Sequence, residues 1–432
     1  MIKMEKKKIN ALIYILVVIF FTVDTIQKLG DMIILFILVL PLLGVLYNVK
    51  KNGGKLILRG KNIFIFITIF FIFTLVVDLL GGYYEETIKT TFLVFGSIYT
   101  TILMILSDPD PKETFLHFTK YLKRYVLFLV FYGLIIRFFG DTPVLYNISN
   151  NLVEYRQYCS ILGIPFYQLV IGDSLIKYGI CSLTGNPNTL SYLCVFAFAI
   201  VIAMEKMSIK KIVEIIFLLL GVCFSGSRLA IILCGLFIVI GIVLIQKIDS
   251  KEFKKRWDIT LLCIGIIFIL TILTLVLFDF KISNVTEQID LNGREIMWGA
   301  AKNAIEDNFF LASGLGGSEF IIKEYTDSTL AMHNSYLELM VNYGIIFPIL
   351  FIGCNLYLLI VTIKMIKELE REERRMFFCQ WLILICLFVI AFAESVFMNF
   401  SIGNLLYFYV LCNLLLGGKM FEKKNYDIDT NL

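Results

Sequence analysis

Apolar runs close to the roughly 20 residues that cross a bilayer recur along the whole chain, separated by short charged stretches. Twelve are readable, at roughly 10–27, 31–48, 62–80, 88–107, 124–139, 189–204, 212–225, 228–246, 259–279, 336–363, 376–393 and 401–416. Runs 212–225 and 401–416 are the shortest. Lipid offers no hydrogen bonds, so each crossing segment has to satisfy its own backbone groups. The pattern therefore predicts an all-α, polytopic integral membrane protein with about twelve transmembrane helices. Composition agrees: 59% hydrophobic residues, 17% charged residues and a mean hydropathy of +0.84 exclude a soluble globule.

The first run follows Lys3, Lys6, Lys7 and Lys8, as a signal peptide would. No small-residue cleavage site comes after it, and Asp24 and Lys28 lead into the next run, so a retained helix is expected. Basic loops stay cytoplasmic. With both termini inside, 29 of the 39 Lys and Arg residues fall in inner segments, while acidic residues exceed basic ones outside. This bias accounts for the net charge of +4, which gives no sign of a nucleic-acid partner.

The topology divides the chain into helices 1–5 (residues 1–139), an extracytoplasmic loop (140–188), helices 6–9 (189–279), a large extracytoplasmic loop (280–335), helices 10–12 (336–416) and a cytoplasmic tail (417–432). Inner loops are too short to be catalytic domains. The two long outer loops are where function is expected. In the second, Gly293-Arg294 opens a helix through Glu306 with Trp298, Ala301 and Ile305 on one face. Gly314, Gly316 and Gly317 break it before a second short helix over Glu319–Tyr325. Eight of the ten cysteines lie in predicted spans and read as packing residues. Cys159 and Cys181 share an outer loop, where a disulfide is permitted.

Polar residues with chemical potential cluster on the outer side. Ser225-Gly226-Ser227-Arg228 is a tight turn with Ser227 as a natural N-cap and Arg228 at the positive end of a helix dipole. Exposed N–H groups and a guanidinium fork suit a phosphate or diphosphate; the structural alternative is an arginine snorkelling to lipid headgroups. Arg294 is a second outer cation, or an ordinary loop arginine. Ser335 and Glu338 fit a capping box, which starts a helix there and sets His333 just ahead of a positive helix end. That position disfavours the imidazolium and suits a proton acceptor; the alternative is a histidine merely bonded at the membrane interface. Asn186-Pro187-Asn188 reads as N-cap and first helical turn, with amides that also suit sugar hydroxyls. Asp108-Pro109-Asp110 looks like a D-x-D metal motif, but it lies on the inner side around a proline and reads as a turn. No outer cluster of His, Asp and Glu suggests a catalytic metal, and no cofactor is expected.

In order, Gly185-Asn186-Pro187-Asn188, Ser225-Gly226-Ser227-Arg228, Gly293-Arg294 with Trp298, Gly314-Leu315-Gly316, and His333-Asn334-Ser335-Tyr336 with Gly344 resemble the O-antigen ligase and polymerase superfamily of polysaccharide-assembly proteins. The resemblance covers roughly 177–350 in motifs and the rest of the chain by helix count and loop placement. It implies a C-type glycosyltransferase-like fold and metal-independent, inverting transfer of a polyprenyl-diphosphate-linked glycan to an acceptor hydroxyl. Under it, Arg228 and Arg294 hold the diphosphate, and His333 serves the acceptor or the leaving group. Asn186, Asn188, Ser227, Trp298, Asn334 and Tyr336 line the substrates.

These motifs fit a polymerase, which joins undecaprenyl-diphosphate-linked repeat units into capsular polysaccharide, exopolysaccharide or O-antigen at the outer face of a bacterial cytoplasmic membrane. They equally fit a ligase that transfers the finished glycan. Richness in Ile, Lys, Asn and Phe suggests an AT-rich genome, and many such bacteria lack the outer-membrane lipid a ligase modifies; this favours the polymerase. Partners implied are the lipid-linked donor and acceptor, membrane lipid, a chain-length regulator and a flippase. The chain being itself a flippase is the rival from another class, but transporters carry charges near the membrane midplane, and here the charges within spans sit near their ends. A non-catalytic scaffold leaves Arg228, Arg294 and His333 without a role.

Overall fold

The computed structural model describes residues 8–27, 31–80, 84–149, 152–161, 164–171, 179–206, 208–248, 294–307, 313–326, 332–397 and 401–429. Helices dominate: α1 (Ile9–Thr22), α2 (Asp24–Gln27), α3 (Asp31–Lys51), α4 (Lys61–Leu80), α5 (Tyr84–Ser107) and α6 (Pro111–Phe139) precede a small sheet. After it come α7 (Pro187–Met204), α8 (Ile209–Ser225), α9 (Arg228–Ile248), α10 (Arg294–Asp307), α11 (Gly317–Thr326), α12 (Ser335–Tyr343), α13 (Ile346–Glu368), α14 (Arg371–Ile390) and α15 (Ile402–Asp429).

Among the described residues five helices are long and apolar enough to cross a membrane: Ile34–Lys51, Lys61–Leu80, Thr87–Ser107, Pro187–Met204 and Ile346–Ile366. Shorter apolar helices cover Ile9–Thr22, Arg228–Ile238 and Ile402–Gly417. The chain is thus a multi-pass α-helical membrane protein. Helices α6 and α14 begin in charged sequence before turning apolar, and the predicted span 259–279 lies outside the described residues.

Burial separates centre from rim. In α7, 72% of the apolar window is buried within the protein, against 17% in α4 and α13, so α7 is a core helix and the other two present their side chains outward. Apolar side chains gain nothing by leaving lipid, so helices associate here by close packing and by polar bonds between them. Gly221 of α8 illustrates the packing: a Cβ there would lie 2.6 Å from Val130 of α6 and 3.0 Å from Cys194 of α7. Asn48 illustrates the bonds, accepting from Asn10 at 2.8 Å and donating to Met104 O and Ser107 Oγ, each at 3.1 Å.

The all-α expectation fails in the first long loop, which carries an antiparallel sheet in the order β1 (Val144–Ser149), β2 (Leu152–Ile161), β3 (Ile164–Ile171), β4 (Gly179–Ile180). Its inner face meets α6 through glutamines. Gln168 donates to Gly133 O at 3.2 Å and to Gln157 Oε1 at 3.2 Å. Cys159 and Cys181 are both buried thiols, not joined in a disulfide.

Two local expectations change. The predicted continuous span 336–363 is broken at Gly344, whose φ of +76° ends α12 before α13 begins at Ile346. The cap of α12 is Asn334, whose side chain accepts from Tyr336 N at 3.1 Å and Leu337 N at 3.2 Å, so the Ser335–Glu338 capping box does not form. The Asp108-Pro109-Asp110 segment is a turn before α6: Asp108 accepts from Asp110 N at 2.9 Å and from the Thr114 hydroxyl at 2.5 Å.

Candidate functional site around Glu394

Helix α14 ends at Ile390, and the connection that follows it carries Glu394. Four side chains from three segments converge on that carboxylate. From the first turn of α7, Asn188 Nδ2 donates to Glu394 Oε1 at 2.8 Å, and Tyr192 Oη lies 3.5 Å from the same oxygen. From the first residue of α10, an Arg294 guanidinium nitrogen lies 3.6 Å from Oε1. His333 Nδ1 lies 3.0 Å from Oε2. Arg294 and His333 are two of the three residues expected to carry the chemistry. Glu394 escaped the sequence reading except as a charge near the end of a span.

Local chemistry places each group. His333 adopts φ +48°, a left-handed conformation that histidine tolerates better than most residues. Asn334 immediately afterwards caps α12, so the chain enters the helix just past the imidazole. Trp298, one turn beyond Arg294, donates from Nε1 to Met332 O at 3.0 Å and so ties α10 to the residue before His333. Met297, Ala301, Ile322, Met332 and Val341 form the apolar cluster beneath, with Trp298 and Ile305 packed on it. This is the helical face predicted for α10.

The Gly314-Leu315-Gly316 turn locks the same region to the N-terminal helices. Leu315 N donates to Asp78 Oδ1 at 2.9 Å, and Ser318 N donates to Asn342 Oδ1 at 3.0 Å. Gly314 has φ +87°, and a Cβ there would fall 2.5 Å from Asp78 Oδ1. Only glycine fits that position without displacement.

Arg228 is the first residue of α9 and is exposed. Helix α8 returns along α7, as the Gly221–Cys194 approach shows, so the Gly226 turn and Arg228 stand at the same end of the bundle as Asn188. Gly226, with φ +76°, caps α8, and Ser227 is buried with its carbonyl accepting Ile231 N at 3.2 Å. The remaining predicted binding residues have partners within the protein, Asn186 while exposed. Asn186 caps α7 by accepting from Asn188 N at 2.8 Å, Asn334 caps α12, Trp298 holds Met332, and the buried Tyr336 donates to Phe388 O at 2.9 Å. Asn188 alone of that set reaches the Glu394 carboxylate.

The tautomer of His333 follows from its partner. An ionised carboxylate only accepts, so Nδ1 is the donor to it, and in a neutral imidazole the lone pair then lies on Nε2. The His333 side chain is 37% exposed while that of Glu394 is 19% exposed, so the imidazole is the accessible member of the pair. The arrangement sets an imidazole and a guanidinium on one carboxylate, a geometry that suits proton acceptance beside an anion.

This is a multi-pass helical membrane protein in which Asn188, Arg228, Arg294, His333 and Glu394 stand at one end of the bundle, without a separate soluble domain among the described residues. Residues 214–352, which contain Arg228, Arg294 and His333, match the family described as O-antigen ligase, consistent with a member of the O-antigen ligase and polymerase superfamily. Asn188 and Glu394 lie outside the matched segment. No curated protein matches the chain.

Proposed function

We propose that the protein polymerises undecaprenyl-diphosphate-linked repeat units by glycosyl transfer at the outer face of the cytoplasmic membrane, with both termini cytoplasmic. The observation that carries this reading is the convergence of Arg294 and His333 on Glu394. The family match supports glycosyl transfer of the O-antigen ligase or polymerase kind.

The chemistry needs a base and an anion holder. An acceptor hydroxyl attacks the anomeric carbon of the donor, and the bond from that carbon to the diphosphate oxygen breaks with its electron pair leaving on the diphosphate. The hydroxyl proton passes to His333 Nε2. Glu394 then faces an imidazolium through Nδ1 and stabilises it, as an oriented carboxylate does in other histidine-base systems. Negative charge grows on the departing diphosphate, where Arg294 and Arg228 stabilise it. In the free protein Glu394 neutralises Arg294 and holds it in place until a more highly charged anion arrives.

Arg228→Ala, Arg294→Ala and His333→Ala are each expected to abolish long-chain polymer while leaving the protein in the membrane. Normal chain-length ladders from all three variants defeat the reading. Deleting the protein should leave single lipid-linked repeat units outside the membrane. Their accumulation inside would assign a flippase, and intact free polymer that never reaches its anchor would assign a ligase.

A further inference from the structure

Ser335 is fully buried, and with Asn334 capping α12 its hydroxyl is free for another task. It turns toward the connection after α14. The hydroxyl donates to Glu394 O at 2.9 Å and accepts from Val396 N at 2.6 Å and Phe397 N at 3.2 Å. A serine hydroxyl has one donor and two acceptor sites, and here all are used. Ser335 N adds a bond to Ala391 O at 2.8 Å. One turn along the helix, the buried Glu338 accepts from the Ser395 hydroxyl.

These bonds have a chemical reason. The segment 391–397 is irregular backbone whose ends, Ala391, Val396 and Phe397, are buried among apolar side chains, so N–H and C=O groups there need protein partners. Ser335 supplies three of them from one atom. It also stands two residues after His333, while the turn it holds carries Glu394. A single side chain thus joins the two chain segments whose residues meet at 3.0 Å.

We propose that Ser335, supported by Glu338, is the positioning residue of the His333–Glu394 pair. It acts through the backbone of the Glu394 turn and touches no substrate. The inference rests on reading His333 as the base.

The test combines an activity-free readout with turnover. Wild type, Ser335→Ala, Glu394→Gln and the double variant are reconstituted in liposomes with lipid-linked repeat units, and hydrogen–deuterium exchange is followed for the peptide 391–397. Exchange of this peptide should quicken by about tenfold or more in Ser335→Ala, with α7 and α13 unchanged. Turnover should fall about 10–100-fold at an unchanged donor KM, the usual cost of losing a group that orients a reacting side chain. The double variant should be no slower than Glu394→Gln, because both changes break the same unit. Unchanged exchange, wild-type turnover, or losses that multiply in the double variant would overturn the proposal. If Ser335→Ala fails to accumulate, Ser395→Ala cuts the Glu338 bond from the other side, and unchanged exchange there overturns it as well. A wild-type protein that forms no glycosidic bond defeats the polymerase reading instead, and exchange alone then decides whether Ser335 holds the turn.

Discussion

At the scale of single residues, the account depends on what Glu394 does to His333. Glu394→Gln keeps the shape but sets a donor amide against Nδ1, which favours the tautomer with its lone pair on the wrong nitrogen. Turnover should drop about 10³-fold or more while donor binding is retained, as seen when an orienting carboxylate becomes an amide. Steady-state kinetics on purified variants would check this, and a variant within a few-fold of wild type would remove Glu394 from the mechanism. His333 and Arg294 were legible in the sequence because each sits at a recognisable break between loop and helix. Glu394 was not. Its partners His333, Arg294 and Asn188 lie far from it along the chain, so no local spacing marks it, and its place after an apolar run looks like an ordinary span end.

At the scale of elements, glycine positions and buried ions make testable demands. Gly314→Ala forces a left-handed φ on alanine and drives its Cβ into Asp78, which should cost about 1–3 kcal/mol and lower the unfolding temperature in detergent. Gly299→Ala, in the exposed middle of α10 with open space around its Cβ, should instead stabilise by roughly 0.5–1 kcal/mol. Equal shifts from both would contradict the close approach of the Gly314 turn to Asp78. Helices were readable because apolar runs and caps are local signals. The sheet was hidden because two glutamines interrupt its inner face: Gln157 and Gln168 share that face with Cys159, Phe166 and Val170, whereas Tyr158 on the other face is 40% exposed. Period-2 reasoning looks for an unbroken row of apolar residues on the inner face and meets polar ones among them. The break at Gly344 lay inside a predicted span of mostly apolar residues, where a lone glycine is a weak signal.

At the scale of the whole molecule, the bundle has two polar ends of different character. Opposite the Glu394 site, Lys123 of α6 is buried and bonds Glu205 and Glu214, the latter at 2.9 Å, while Lys211 donates to Ile202 O and Glu205 O at 3.0 Å each. Burial pulls the Lys123 ammonium down, but its bonds to Glu205 and Glu214 outweigh it and leave the group above its ordinary value. For Glu205, burial pushes upward, and the bond and charge of Lys123 bring the carboxyl below its ordinary value. The lysine contribution is therefore complete below its unfolded value and is lost as pH rises through the folded one. The Glu205 contribution is present above its unfolded value and is lost as pH falls through the folded one. Lys123→Met removes the buried cation from between Glu205 and Glu214, leaving only the exposed Lys210 near Glu214, and should cost about 3–5 kcal/mol. Thermal unfolding across pH would show it, with a flatter acid limb in the variant; an unchanged stability would mean that the ions are solvated.

The measurement that bears most directly on the central claim is reconstitution of the purified protein with synthetic undecaprenyl-diphosphate-linked repeat units in liposomes, reading both glycan length and released undecaprenyl diphosphate. Wild type should give a ladder with one diphosphate released per bond formed, and His333→Ala and Arg294→Ala should give neither. Movement of the lipid-linked unit across the bilayer without bond formation, or a full ladder from the His333→Ala protein, would contradict the account.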